Sequence, residues 1–130
     1  MTEPRWVSLV HILAIHSDQI QAHGRSLGLR DRGLLESAIE RPRNRLHYNP
    51  DSDLSTLAAA YGFGLANNHP FVDGNKRVGI AAAGLFLRLN GNRLSVGNVE
   101  LEVFTLRVAQ GESSIEEIAA WLEEASTRAH

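Results

Sequence analysis

"HPFVDGNKRVGIAAAGLFLRLNG", residues 69–91, decides how the rest of the chain is read. Its second half is a helix of unusual character. Val78, Ala81, Ala82, Leu85, Phe86 and Leu89 make one apolar stripe, and Ile80, Ala83 and Leu87 make the opposite side apolar as well. A helix apolar on nearly all sides belongs in the middle of a helical bundle. Gly79 and Gly84 let neighbouring helices come close, and "NGN" at 90–92 ends the element. Pro70 breaks the helix before it, and the new helix begins near Asp73 or Gly74. The first half therefore lies on a loop that runs into the N-terminus of a buried helix. It crowds a histidine, an aspartate, a glycine, an asparagine, a lysine and an arginine together with no packing reason for doing so.

Outward from this stretch the period stays helical. Leu54, Leu57, Ala58, Tyr61, Leu65 and Ala66 share one face of a helix over 54–67, and "GFG" at 62–64 reads as helix packing, because a dinucleotide loop needs a third glycine. Leu9, Ile12, Leu13, His16 and Ile20 mark a first helix, with Ser8 placed to cap it and Gly24 to end it. Asp31 caps a second helix carrying Leu34, Leu35, Ala38 and Ile39, and Pro42 is expected to stop it. "RPRNRLHYNPDSD" (41–53) then reads as a connecting loop with room for a helical turn. Val99, Val103 and Leu106 suggest a fifth helix ended by Gly111. Ser113 with Glu116, or Ser114 with Glu117, forms a capping box for a last helix that turns Ile115, Ile118, Ala119 and Leu122 inward. "NRLSV" (92–96) is the single strand-like piece, and no repeat or linker interrupts the chain. The expected fold is all-α: one domain over residues 1–130, with about six helices around a buried central helix.

Composition narrows the function. Apolar residues are 43% and charged residues 22% of the chain, a globular balance, and the net charge is −2. That charge speaks against bulk binding to nucleic acid or to an anionic membrane. The absence of cysteine excludes disulfides, thiolate catalysis and zinc–thiolate sites. "MTEPRWVSLV" has no signal-peptide pattern, and "VGIAAAGLFL" (78–87) is too short to span a bilayer, so a cytoplasmic protein is expected.

The chemistry gathers at residues 69–77. Backbone N–H groups and the positive dipole end of a helix converge at its N-terminus and make an anion site. Gly74 leaves its backbone open to a phosphate oxygen, Lys76 adds a point charge, Arg77 adds a fork matched to phosphate, and Asn75 adds a neutral donor. Cations placed at a helix N-terminus oppose the dipole, which implies that an anion compensates them. Asp73 would repel phosphate unless a cation lay between them. Mg²⁺, typically held by one or two carboxylates with phosphate oxygens and water, fills that part, and Asp73 can also cap the helix. Histidine is the side chain suited to take a proton from an attacking hydroxyl near neutral pH, which gives His69 a part as general base. Together these are the parts needed to move a phosphate-containing group from a nucleotide to a hydroxyl. Phe71 reads as a core anchor for the loop. His11, His16, His23, His47 and His130 lack metal-ligand spacing and read as surface or interface residues, and Arg41, Arg43 and Arg45 as a solvated face.

"HPFVDGNKR" resembles the signature of the Fic/Doc (Fido) superfamily in its death-on-curing (Doc) branch, H-x-F-x-D-(A/G)-N-K-R, at every defined position. "IHSDQI" (15–20), "GLRDRGLLESAIERP" (28–42) and "GLFLRLNG" (84–91) are similar to Doc-branch segments in the expected order, so the likeness spans nearly the whole chain. It implies a Fido-type bundle and a toxin of a toxin–antitoxin system. It also implies a kinase that carries the γ-phosphate of ATP to a threonine or serine hydroxyl of a translation factor, by resemblance elongation factor Tu, and so halts translation.

Adenylylating Fic enzymes have a second glycine and a second arginine where this chain has Lys76 and Ile80. Transfer of AMP is accordingly the secondary expectation, and an idle Fido binding module the third. Many Fic proteins restrain themselves with an (S/T)-x-x-x-E-(G/N) helix. Here Ser113 and Glu117 have that spacing, but Ile118 follows, so no inhibition in cis is expected. The likeness supplies a brake in trans, a small Phd-type antitoxin, with Trp6, Val7 and Val10 expected along one wall of its groove.

Overall fold

The computed structural model describes residues 3–23, 28–72, 74–109 and 113–128. They form helices α1 (Leu9–His23), α2 (Arg32–Tyr48), α3 (Leu54–Asn68) and α4 (Asn75–Leu89), strand β1 (Asn92–Leu94), helices α5 (Asn98–Ala109) and α6 (Ile115–Ala125), and strand β2 (Ser126–Arg128). The fold is all-α, as expected. The two short strands pair antiparallel, Arg93 opposite Thr127, and tie the end of α4 to the end of α6. The expected terminators Gly24 and Gly111, with His130, lie outside the described residues, as do the side chains of Ile20, His23 and Val99.

The helix starts follow from local chemistry. Asp31 Oδ1 accepts from Leu34 N at 3.0 Å and Asp53 Oδ1 from Thr56 N at 2.8 Å. At α1, Ser8 Oγ accepts from His11 N at 3.4 Å, and His11 Nδ1 accepts in return from Ser8 N at 3.0 Å. Of the two capping boxes open at α6, Ser114 with Glu117 is the one formed. Such caps are each worth about 1 kcal/mol.

One hydrophobic cluster runs from Val7 through α2, α3 and α4 to Leu122. Its axis is the pair α3 and α4. α3 packs against α2, α4 and α6, and α4 against α3, α1, α5 and β1. The pair meets backbone to backbone where Gly62 faces Gly79, since a Cβ on Gly79 would stand 2.8 Å from the carbonyl oxygen of Gly62. Gly64 lies against Ala38 of α2, where a Cβ added to Gly64 would stand 3.4 Å from the Ala38 Cα and Cβ. "GFG" is thus a packing motif. Among the described residues no helix is long and apolar enough to cross a membrane.

Several local expectations are corrected. Pro42 does not stop α2, which continues to Tyr48 with Pro42 buried inside it. Leu35, Ala38, Ile39, Pro42 and Leu46 fall on one stripe facing the core. An interior proline costs about 3 kcal/mol. Burial along this continued stripe offsets it, at about 1.5–3 kcal/mol for each aliphatic side chain fully removed from water. In α5 the inward face is Phe104, Thr105 and Val108, whereas Val103 and Leu106 are exposed. In α1, Leu13 is exposed and His16 is buried, so His16 is a core residue rather than a surface one. Trp6 and Val7 also belong to the core: Val7 is buried and the Trp6 ring packs 5.7 Å from Phe86. Of the wall expected to receive a partner, only Val10 stands exposed.

Val7 is held by Tyr61, whose hydroxyl accepts from Val7 N at 3.0 Å and donates to Val7 O at 3.2 Å. Burial raises the Tyr61 pKa to about 12, from an ordinary value near 10. Above pH 10 the unfolded chain loses this proton while the folded chain keeps it, so stability falls as pH rises from about 10 to 12. Tyr61→Phe should cost about 1–3 kcal/mol at neutral pH, because it strands two buried backbone groups. It should also flatten the alkaline limb, and urea unfolding at both pH values checks both effects.

Candidate active site

α3 ends at Asn68, and His69 caps it in the left-handed region, φ 50° and ψ 53°. It is the one non-glycine residue with positive φ among the described residues. That conformation costs about 1–2 kcal/mol for an L-residue, so the surroundings must hold it. Pro70 follows and cannot continue the helix. Its carbonyl accepts from Arg30 N at 2.7 Å and Asp31 N at 2.9 Å, while Val72 N donates to Gly28 O at 2.9 Å. Phe71 and Leu29 thereby form an antiparallel bridge. Phe71 is buried and stacks on buried His16, with ring centroids 3.8 Å apart and planes 8° from parallel. It is the anchor the sequence suggested. His69, in contrast, is exposed.

Across this loop α4 begins. Gly74 is its N-cap at φ 80°, a value that favours glycine. The first-turn amides have no partner within the helix itself, and half-buried Lys76 and Arg77 stand on that turn. Packing of α3 against α4 and the short connection bring His69, Gly74, Lys76 and Arg77 to one end of the helix pair. Asn75 behaves differently from the expected phosphate donor. Its side chain is buried and brackets Phe71, with Oδ1 accepting from Phe71 N and Nδ2 donating to Phe71 O, both at 2.9 Å. What Asn75 can turn toward an anion is its backbone N–H.

Asp73, the expected metal ligand, lies outside the described residues. Among the described residues no group of three or more His, Asp or Glu side chains is placed to hold a metal. A full protein cage is therefore absent among them. Arg77 also lines a groove of about 170 Å³ with Gln19, Ile80, Ala81, Gly84, Leu94, Leu101 and Thr105. This is smaller than an ordinary small-molecule pocket.

Two residues beside the site escaped the sequence reading. Arg30 donates from Nε to His69 O at 2.8 Å and from its second guanidinium nitrogen to Asn68 O at 3.2 Å. Nothing in local spacing joins it to residue 69. His16 had a signal, since it falls on the apolar stripe of α1 between Ile12 and Ile20.

With this geometry in view, comparison with known proteins places the chain. The Fic/DOC family matches residues 6–87. A protein named protein kinase doc, from Escherichia phage P1, is 35% identical over 115 residues, 88% of this chain and 90% of the relative. One named toxin Doc, from Mycolicibacterium smegmatis, is 46% identical over 76 residues, 57% of this chain and 58% of the relative. The chain belongs to the Fic/DOC family, and within it to the Doc branch.

Proposed function

We propose that the protein is a Doc-type toxin whose site moves the γ-phosphate of ATP to a serine or threonine hydroxyl of a translation factor, elongation factor Tu or a protein like it. The observation that supports this reading is the pairing of an exposed, backbone-constrained His69 with an α4 start at Gly74 that bears Lys76 and Arg77. The α4 amides, Lys76 and Arg77 hold the phosphate oxygens and stabilise charge that develops on them. His69 accepts the proton of the acceptor hydroxyl as its oxygen bonds to the γ-phosphorus. The bond from that phosphorus to the bridging oxygen breaks, and ADP leaves. Mg²⁺ bound through Asp73 would neutralise phosphate charge when present. By the resemblance, Lys76 stands where adenylylating Fic enzymes have a second glycine, and buried Ile80 where they have a second arginine. Both features favour γ-phosphate transfer.

Regulation fits a brake in trans. Glu117, the residue with the spacing of an inhibitory glutamate, is part of the cap of its own helix, its Oε1 lying 3.2 Å from Ser114 N, and Ile118 after it is buried. We infer a small antitoxin of the Phd type as the partner that restrains the enzyme. Expression of the protein alone in a bacterium should arrest growth and translation, and co-expression of the neighbouring small open reading frame should relieve the arrest. Unimpaired growth with soluble protein would overturn the toxin reading. In vitro, Asp73→Ala should lower transfer to the metal-free level and abolish its Mg²⁺ dependence. A normal Mg²⁺ titration in that variant would move the metal to other ligands.

A further inference from the structure

We propose that Arg30 is a positioning residue for His69: its guanidinium holds the left-handed backbone that aims the imidazole at the phosphate end of α4. The inference rests on the reading of His69 as the base. Three consecutive carbonyls at the end of α3 point at a single dipeptide. Those of Asn68 and His69 accept from the Arg30 side chain at 3.2 and 2.8 Å, and that of Pro70 accepts from the backbone of Arg30 and Asp31 at 2.7 and 2.9 Å. Asp31 in turn caps α2, and Asn68 Nδ2 donates to Leu34 O at 3.0 Å, so the start of α2 and the end of α3 form one junction under the histidine.

A cation at a helix C-terminus is favourable in itself, but such a cap needs only the carbonyls inside the helix. Here the shorter of the two side-chain bonds goes to His69, the residue whose φ of 50° departs from the helix. The fork of an arginine meets two carbonyls at once in a fixed plane, whereas a lysine offers a point charge on a flexible stem. The charge and the geometry can therefore be separated by substitution.

Arg30→Ala and Arg30→Lys are compared with the parent in kcat, in KM for ATP, and in the carbon-13 shifts of the His69 backbone, which report its φ and ψ independently of activity. In Arg30→Ala, kcat should fall roughly 10- to 100-fold, the scale of a small misplacement of a reacting group. KM for ATP should stay within about twofold, because ground-state binding is not what is lost. The His69 shifts should leave the left-handed range, and millimolar guanidinium should restore much of both signals. Arg30→Lys, which keeps the charge and most of the bulk, should fold like the parent yet recover only part of kcat. Unchanged His69 shifts in Arg30→Ala, or an unchanged kcat, would overturn the assignment. If the parent itself transfers no phosphate, the reading of His69 as base fails on its own, and the carbon-13 comparison still decides whether Arg30 sets the conformation of His69.

Discussion

Replacement of His69 by alanine should lower phosphate transfer by roughly 10²–10⁴-fold, the range typical of a lost general base, while the fold and nucleotide binding persist. The His69 side chain is exposed, so its removal opens no cavity. The groups proposed to hold phosphate, the α4 amides with Lys76 and Arg77, stand on the first turn of α4 and should keep their places. Alanine tolerates the left-handed region less readily than histidine, so part of the loss in His69→Ala could arise from the backbone. His69→Asn removes that ambiguity, because asparagine accepts the conformation but cannot serve as base near neutral pH. Both variants should lose turnover alike. Turnover near that of the parent in either one would remove His69 from the mechanism.

A large and asymmetric effect on stability is expected from a pair of glycines that look equivalent in sequence. Gly79→Ala would set a methyl group 2.8 Å from the Gly62 carbonyl oxygen and 3.3 Å from its Cα, both backbone atoms that cannot turn aside. Overpacking of this kind typically costs about 1–3 kcal/mol, more than the ~1 kcal/mol alanine gains over glycine in helix propensity. Gly62→Ala, on the facing helix, would place its methyl 3.5 Å from Gly79 O, an ordinary contact. There the propensity gain decides, and the variant should be neutral or more stable. Urea unfolding of the two variants checks this asymmetry. A matched loss in both would mean that α3 and α4 do not approach as described. Because His69 caps α3 and α4 begins at the proposed phosphate site, Gly79→Ala should also reduce turnover of the folded fraction.

Much of the fold was legible in the sequence for identifiable reasons. α4 declared itself because apolar residues surround it on both sides, and the candidate site could be proposed because its residues are contiguous from His69 to Arg77. What stayed hidden depended on distant parts of the chain. Pro42 remains helical because the stripe from Leu35 to Leu46 continues onto the core, a tertiary effect that outweighs a local rule. The inward face of α5 could not be chosen from Val103 and Leu106, since apolar residues fall on both sides of that helix. β2 exists only through its pairing with β1, and Arg30 acts on a residue 39 positions away. Asn75 was read as a ligand donor because its chemistry allows it, but burial turned its amide to the Phe71 peptide.

The most direct test of the central claim is to offer the protein ATP labelled at the γ- or the α-phosphate, in parallel, with a bacterial lysate. The account predicts label on a protein of the translation machinery from the γ position, none from the α position, and loss of that label with His69→Asn. Label arriving from the α position, or from neither, would contradict it.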